Sequence, residues 1–226
     1  MSEEQIDYVG MMADMAQVVA HRIRGLVTTI EGFTDLLADT LPDREQRELA
    51  LRIFEGAARI ESVLADLQLF ARQVETAPAP TTPAYILTDL YNAIDESVVS
   101  RLDLEVTDSS VRLEVDRVLI RQTLLMLVQN AFDAVGGDGR VAISAEQEGG
   151  RICFHVRNPG VMRPDVEACA FRPFFTTKAH NLGVGLSISR RIAEAHGGDL
   201  LLTANSPAEG TRFTLSLPSI NAGDLV

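Results

Sequence analysis

The chain contains Phe-Phe-Thr-Thr-Lys at residues 174–178 and Leu-Gly-Val-Gly-Leu at residues 182–186, and an amphipathic stretch follows directly. Gly183 and Gly185 let the backbone come close to a bound group, because glycine has no Cβ. The free N–H groups in the first turn of a helix attract anions, and the helix dipole adds about half a positive charge there. A glycine loop that enters a helix therefore predicts a phosphate site, although one such loop is weak evidence by itself.

The sequence around this loop alternates between strand and helix patterns. Residues 118–135 are strongly apolar and end at Gly136-Gly137, which predicts a helix. Further helices are predicted over residues 86–99 and 183–196. Alternating or β-branched runs predict strands at residues 102–106, 111–115, 141–144, 152–156, 200–202 and 212–217. This order predicts an α+β sandwich, in which helices cover one face of a sheet.

The first third of the chain predicts a long helical hairpin. Apolar residues recur at spacings of three and four from Met12 to Leu37, and again from Ala50 to Ala71. Leu41-Pro42-Asp43 ends the first helix and starts the second. Helices of about 45 Å at 1.5 Å per residue leave apolar stripes that two helices cannot bury alone. Pairing with a second copy into a four-helix bundle would bury them, and packing against the rest of the same chain is the alternative.

A proline-rich segment separates the two regions. Residues 76–83 read Thr-Ala-Pro-Ala-Pro-Thr-Thr-Pro and show no apolar periodicity, which favours an extended linker. The sequence therefore predicts a helical domain at residues 1–75 and a second domain at residues 84–226.

Composition argues against several kinds of partner. The net charge of −12 argues against nucleic acid and anionic membranes. No apolar run reaches the roughly 20 residues of a membrane span, and residues 1–5 lack the basic region of a signal peptide. Cys153 and Cys169 show neither metal-ligand spacing nor a secreted disulfide pattern. We therefore predict a cytoplasmic protein without a membrane span.

Two further motifs precede the glycine loop. His21 lies within Ala20-His21-Arg22-Ile23-Arg24, and Asn130 lies within Leu-Val-Gln-Asn-Ala-Phe-Asp-Ala at residues 127–134. In this order the motifs resemble the sensor histidine kinases of two-component systems, and the resemblance covers nearly the whole chain. It implies a dimerisation and phosphoacceptor hairpin, followed by an ATP-binding domain of the type shared by gyrase, Hsp90, histidine kinases and MutL.

The resemblance makes His21 the nucleophile that attacks the γ-phosphate of ATP as a neutral imidazole. At 100° per residue, His21 lies opposite the apolar seam of its helix, so we expect it to be exposed. The family commonly has an acidic residue next, where this chain has Arg22. Arginine cannot act as a base, and we expect Arg22 to attract the γ-phosphate instead. Gly25 stands where the family often has Asn or Thr, which predicts weak phosphatase activity.

The resemblance assigns the cation and the base to amide side chains. Asn130 would hold Mg²⁺ against the triphosphate, and Asp133 would be an acid behind the direct ligands of the ion or, more plausibly, a plain surface residue. Asn158 stands where the family has an aspartate that accepts a hydrogen bond from the adenine amino group. An amide oxygen can accept the same bond, although Asn-Pro-Gly is also an ordinary turn. Outside residues 171–186, the other predicted nucleotide contacts are Gly160 and Thr211.

Residues 171–186 resemble the ATP lid and its glycine hinge, and we call this segment the lid. It is the strongest single block of resemblance. Lys178, the only lysine of the chain, is a candidate phosphate contact, and a solvated lid residue is the alternative. The resemblance predicts nucleotide contacts at Phe175, Thr176, Thr177, Lys178, Gly183, Val184, Gly185 and Leu186.

The resemblance thus implies an ATP-dependent protein-histidine kinase. It would autophosphorylate on His21 from Mg-ATP and pass the phosphoryl group to an aspartate of a response-regulator receiver domain. A homodimer and a separate sensor protein are the other expected partners. Because Arg22, Gly25 and Asn158 depart from the family pattern, a histidine phosphotransferase or a pseudokinase remains an alternative. A non-enzymatic, ATP-gated scaffold whose hairpin binds a partner helix is another.

Overall fold

A computed structural model describes residues 23–37, 40–41, 43–71, 73–106, 111–178 and 182–220. The chain divides into two compact units. The first comprises Met1–Gln73 and Pro173–Val184, and the second comprises Val74–Arg172 and Gly185–Val226. His21 and Arg22 lie outside the described residues, so their predicted roles stay predictions.

The first unit contains two long helices. Residues 23–37 form the described part of α1, and Arg44–Ala71 forms α2. Residues that face another helix are expected to recur about every seven positions. The buried residues follow this rule: Val27 and Thr34 on α1, and Ala50, Ala57 and Leu64 on α2. The predicted helical hairpin is confirmed.

A second apolar face of the hairpin is exposed to solvent. Leu26 and Phe33 of α1 are 67% and 64% exposed. The exposed set also includes Ile30, Leu36, Leu37, Leu49, Leu51, Ile53, Phe54 and Ile60. One helix pair therefore leaves much of its apolar surface uncovered, as its length predicts.

The second unit contains seven strands in two sheets. They are β1 (Ala79–Thr81), β2 (Leu102–Val106), β3 (Leu113–Val115), β4 (Val141–Glu148), β5 (Arg151–Asn158), β6 (Asp199–Ser206) and β7 (Gly210–Pro218). The main sheet has the order β2-β4-β5-β7-β6. β2 is parallel to β4, and the other neighbours are antiparallel. β1 and β3 form a separate antiparallel pair.

Helices cover one face of the main sheet. The helices of this unit are α3 (Pro83–Ala93), α4 (Glu96–Val99), α5 (Arg117–Val135), α6 (Pro164–Glu167) and α7 (Gly185–Ala195). α5 and α7 pack on the sheet and α3 packs on α5, around buried side chains such as Leu124, Phe154 and Ile188. The predicted α+β sandwich is confirmed. Within the described residues, no helix is both long and apolar enough to cross a membrane.

The helix predicted over residues 86–99 is interrupted. α3 ends at Ala93, and Ile94 adopts an extended conformation with ψ 142°. The Asp95 side chain then accepts a hydrogen bond from the Ser97 N–H and begins α4. Aspartate favours such N-cap positions over helix interiors, which explains the break.

The proline-rich segment is extended, as predicted, and it is also paired with a strand. Ala79–Thr81 forms β1, whose partner β3 is more than thirty residues away in the chain. A proline fits an edge strand because it needs no ladder N–H there. Thr82 then caps α3 by accepting a hydrogen bond from the Tyr85 N–H at 3.2 Å, with Pro83 at the first helical position.

Asp116 joins this segment to α5, and its loss should weaken the second unit. Its carboxylate accepts hydrogen bonds from the N–H groups of Val118, Leu119 and Ala77 at 3.0, 3.2 and 3.1 Å. Burial acts to raise the pKa of Asp116, but the hydrogen bonds from Ala77, Leu119 and Val118 outweigh it and lower the pKa. We expect Asp116→Ala to lower the free energy of unfolding at pH 7 by about 1–2 kcal/mol.

The lowered pKa sets the pH dependence of this loss. A carboxyl group whose pKa is lower in the folded state stabilises the fold fully above its unfolded pKa of about 4, and this contribution disappears as the pH falls through the folded value. Urea unfolding should therefore show a smaller loss at pH 3 than at pH 7. Asp116→Asn also removes the titrating group but keeps a neutral cap, so its loss should likewise be smaller at pH 3 than at pH 7, and it should be smaller than that of Asp116→Ala at pH 7. Equal losses for Asp116→Ala at both pH values would contradict this account.

Candidate functional site

One face of α5 connects two parts of the second unit. Met126, Asn130 and Ala134 are spaced by four residues and so share a helix face about 12 Å long. At one end, a Cβ on Gly185 at the start of α7 would lie 4.0 Å from Met126 Sδ. At the other end, a Cβ on Gly160 would lie 3.6 Å from the Ala134 carbonyl oxygen. Asn130 therefore lies midway between the start of α7 and the loop that follows β5.

The amide of Asn130 is half-buried, and one turn later Asp133 is exposed. The carboxylate of Asp133 accepts a hydrogen bond from Gln129 Nε2 at 2.7 Å. Amide and carboxylate oxygens belong to the ligand class that Mg²⁺ prefers. This face of α5 thus carries donor atoms that suit a hard divalent cation.

Met126 stands where the family commonly has another asparagine. Its Sδ accepts a hydrogen bond from Ser189 Oγ of α7 at 3.6 Å. A thioether adapts to irregular contacts between helices. The residue therefore packs α5 against α7 and offers no oxygen ligand.

Asn158 is the last residue of β5 and pairs with Thr211 of β7. Its side chain is 4% exposed, and its buried Nδ2 has no hydrogen-bond partner among the described residues. The Thr211 hydroxyl donates to the Gly160 carbonyl oxygen at 2.8 Å. A Cβ on Gly160 would lie 2.8 Å from Asn158 Nδ2, so the glycine keeps open the space beside the amide. The structure brings these three predicted residues together.

Asn205 of β6 holds the same loop, and it is not among the residues predicted from the sequence. Its Oδ1 accepts from the Met162 N–H at 2.8 Å, and its Nδ2 donates to the Met162 carbonyl oxygen at 3.0 Å. Nδ2 also donates to Glu167 Oε2 at 2.6 Å. Asparagine is uncommon in strands, so an asparagine in a strand is the signal that points to such a role. The strand predicted at residues 200–202 was too short to include it.

The structure assigns the parts of the lid to different units. Phe171 belongs to the second unit, where its ring makes an edge contact with Phe213 at 5.9 Å and the Arg190 guanidinium lies 5.3 Å from its centroid. The first unit includes Phe175, Thr176, Thr177, Lys178, Gly183 and Val184. Gly185 and Leu186 begin α7 in the second unit.

The lid segment of the first unit has its own local geometry. Thr176 Oγ1 accepts a hydrogen bond from the Lys178 N–H at 3.0 Å. Gly183 has φ +73°, and a Cβ there would lie 2.5 Å from the Phe175 carbonyl oxygen. Phe174 has φ 63°, unusual for a residue with a side chain, and its ring makes an edge contact with Phe70 of α2 at 5.1 Å. Gly183 thus occupies a position that only glycine fits without strain.

Glu146, Glu148 and His155 offer metal-ligand atoms that lie within 4.8 Å of one another. His155 Nδ1 lies 2.8 Å from Thr214 Oγ1, and its Nε2 lies 3.4 Å from Glu148 Oε1. These polar contacts account for the arrangement, and we assign no metal to it.

Two family matches follow the order of the motifs. Residues 11–75 match the His Kinase A phospho-acceptor domain, and this range includes His21. Residues 115–221 match the histidine kinase-, DNA gyrase B- and HSP90-like ATPase family, and this range includes Asn130, Asn158 and the lid. The sensor histidine kinase ZraS of Salmonella typhimurium strain LT2 is 30% identical over 215 residues, which are 92% of this chain and 46% of ZraS. The chain therefore spans about half the length of the curated relatives it matches.

Two solved structures of the histidine kinase ThkA are also similar. Its catalytic domain is 31% identical with a TM-score of 0.56, over 63% of this chain and 95% of that one. ThkA in complex with the response regulator protein TrrA is 27% identical with a TM-score of 0.67, over 95% of this chain and 63% of that one. Because the motifs, the fold and these matches agree, the chain belongs to the sensor histidine kinase family.

Proposed function

We propose that this chain is a histidine kinase core that binds Mg-ATP in its second unit and transfers the γ-phosphoryl group to His21. One observation carries the proposal. The buried amide of Asn158, the half-buried amide of Asn130 and the start of α7 follow one another along about 12 Å of α5. A nucleotide needs groups for a base, a cation and phosphates in this same order.

Each part of the nucleotide meets suitable chemistry in this arrangement. Asn158 faces the base, beside the space that Gly160 leaves open, and Thr211 fixes the loop. The N–H groups of Gly185 and Leu186 at the start of α7 suit the phosphates. The resemblance to the family suggests the Thr176 and Thr177 hydroxyls and the Lys178 ammonium group as further donors to the phosphates.

Asn130 would hold the magnesium ion, and Asp133 would be an acid behind the direct ligands of the ion. When bound, Mg²⁺ supplies positive charge against the β- and γ-phosphates. The role of the chain is to present an amide oxygen and a carboxylate from one side of a rigid helix. Gln129 orients the carboxylate through its 2.7 Å hydrogen bond.

His21 acts as the nucleophile. One ring nitrogen of the neutral imidazole forms a bond to the γ-phosphorus, and the bond between this phosphorus and the bridging oxygen of ADP breaks. The imidazole then loses the proton on its other nitrogen to water, because Arg22 cannot accept it. Arg22 attracts the γ-phosphate, while Arg24 already donates from Nη2 to Gln68 Oε1 of α2 at 3.0 Å.

The phosphoryl group then passes to an aspartate of a receiver domain. The phosphorus–nitrogen bond to His21 breaks and a bond to the carboxylate oxygen forms. The structure of ThkA with the response regulator protein TrrA supports this class of partner. The chain acts in the cytoplasm and takes its input from a separate sensor protein or region.

A second copy of the chain covers the exposed apolar face of the hairpin. Leu26 and Phe33 are each about two-thirds exposed, and α2 carries further exposed apolar residues. Contiguous exposed apolar patches are rare in monomers and commonly mark interfaces. A homodimeric four-helix bundle would bury them and bring together two phosphoacceptor helices.

Phosphoryl transfer in the full chain tests the proposal. The protein is incubated with Mg²⁺ and γ-labelled ATP, and we expect covalent label that acid removes and alkali does not, as for a phosphorus–nitrogen bond. ATP labelled at the α-phosphate should leave no covalent label. ATP binding without any γ-label would overturn the kinase and favour the phosphotransferase or the scaffold. If ATP does not bind at all, the proposed nucleotide site itself is wrong.

A further inference from the structure

The buried amide of Asn158 has an unused hydrogen-bond donor. The whole residue is only 4% exposed, and its Nδ2 is inaccessible to solvent and has no hydrogen-bond partner among the described residues. Buried polar groups are nearly always hydrogen-bonded, and an unpaired buried donor is destabilising. An unpaired amide at the end of a strand therefore points to a ligand that completes its hydrogen bonds.

Gly160 lies directly beside this amide. A side chain on Gly160 would come within 2.8 Å of Nδ2, and glycine removes that obstacle. The neighbouring polar side chains have other partners, since Thr211 donates to the Gly160 carbonyl oxygen and Asn205 binds the Met162 backbone. Backbone contact also holds the strand end in place, since a Cβ on Gly210 would lie only 2.1 Å from the Asn158 carbonyl oxygen. The backbone of Asn158 is thus held in place, and its amide can offer a ligand either an N–H donor or an oxygen acceptor.

We propose that Asn158 sets the base specificity of the nucleotide site and admits 6-oxopurine triphosphates, such as ITP, as well as ATP. This inference rests on the proposed nucleotide site. A 6-aminopurine presents an N–H donor at position 6 and an acceptor at N1, and a 6-oxopurine presents the reverse pattern. An ionised carboxylate only accepts hydrogen bonds, so it would repel the oxygen of a 6-oxopurine.

Rotation of the terminal amide by 180° lets one side chain match both patterns. In one orientation the amide oxygen accepts a hydrogen bond from the adenine amino group. In the other, Nδ2 donates to the oxygen at position 6. A carboxylate at this position would reject the 6-oxo base. Two hydrogen-bond acceptors, the carboxylate and the oxygen at position 6, would face each other with no donor between them. Asparagine at this position removes that penalty.

The first measurement compares three nucleotides on the native full-length chain by equilibrium binding in the presence of Mg²⁺. ATP and ITP are expected to bind within about tenfold of each other. The triphosphate of purine riboside, which has only hydrogen at position 6, should bind about 3–10-fold more weakly than either, because it loses one hydrogen bond. Discrimination against ITP by more than about a hundredfold would overturn the proposal. Equal binding of all three would overturn it as well, since Asn158 would then not contact position 6.

Asn158→Asp supplies the matched variant. This variant should keep its affinity for ATP and bind ITP about 10–100-fold more weakly than the native chain does, since the carboxylate cannot donate to the 6-oxo group. An unchanged ratio of ATP to ITP affinity in a folded Asn158→Asp protein would refute the role of Asn158. If this variant unfolds, the three-nucleotide comparison on the native chain still decides. A failed kinase assay, together with ATP and ITP affinities within about tenfold of each other, would instead refute the proposed phosphoryl transfer and support the base specificity.

Discussion

The His21→Gln variant is expected to take up no label from γ-labelled ATP, whereas His180→Gln is expected to label like the native chain. Glutamine keeps a polar side chain of similar reach but has no ring nitrogen to form a bond to phosphorus. Because His21 is predicted to lie away from the apolar seam, its replacement should leave folding and ATP binding intact. The expected effect is therefore a loss of labelling to background at unchanged nucleotide affinity.

The structure narrows the choice of acceptor. The chain has four histidines. His196 accepts a hydrogen bond from the Asp116 N–H at Nε2 and donates from Nδ1 to the Ile192 carbonyl oxygen. His155 is engaged at both nitrogens by Thr214 and Glu148. These two rings hold structural contacts, so His21 and His180 are the acceptors that need a direct test.

The paired variants separate these two histidines. Both proteins should bind ATP with native affinity, which shows that the nucleotide site is intact, and only His21→Gln should stay unlabelled. Label that persists in His21→Gln and disappears in His180→Gln would move the acceptor into the lid. Label that persists in both would refute a single acceptor at either position.

Local patterns in the sequence were sufficient to predict most of the fold. The hairpin follows from apolar spacing within each helix, and α5 follows from one long apolar run with glycine after it. The pairing of β1 with β3 could not be predicted, because it joins segments far apart in the chain and one of them is rich in proline. Nor could spacing alone separate the buried heptad positions, such as Ala57, from exposed apolar neighbours, such as Ile53 and Ile60.

The candidate site likewise combines features that the sequence could predict with features that it could not. Motif order was enough to propose Asn130, Asn158, Gly160 and Thr211, and the structure places the last three in one small region. The unpartnered donor of Asn158 depends on which atoms surround it, and no spacing rule reports that. Asn205 was missed for a related reason, because its bonds reach a loop more than forty residues away. Residue types could be predicted, whereas their hydrogen-bond partners required the fold.

Gly210→Ala is expected to destabilise the second unit by about 3 kcal/mol or more. Gly210 has φ +74°, a conformation that costs an L-residue roughly 1–2 kcal/mol. A Cβ there would also lie 2.1 Å from the Asn158 carbonyl oxygen and 3.0 Å from Pro159 Cα. Both obstacles are backbone atoms that cannot rotate away, and overpacking of this kind typically costs a further 1–3 kcal/mol or so.

Gly149→Ala is the matched control. Gly149 lies in the tight turn between β4 and β5 with φ +54°, but a Cβ there would meet nothing within 4 Å. The free energy of unfolding of Gly149→Ala, measured in urea, should therefore fall only by the cost of the backbone conformation, about 1–2 kcal/mol. Equal losses for the two variants would show that the contact between Gly210 and Asn158 contributes nothing. Relief of the clash must also displace the end of β5 that carries Asn158, so ATP affinity should fall in Gly210→Ala and stay native in Gly149→Ala.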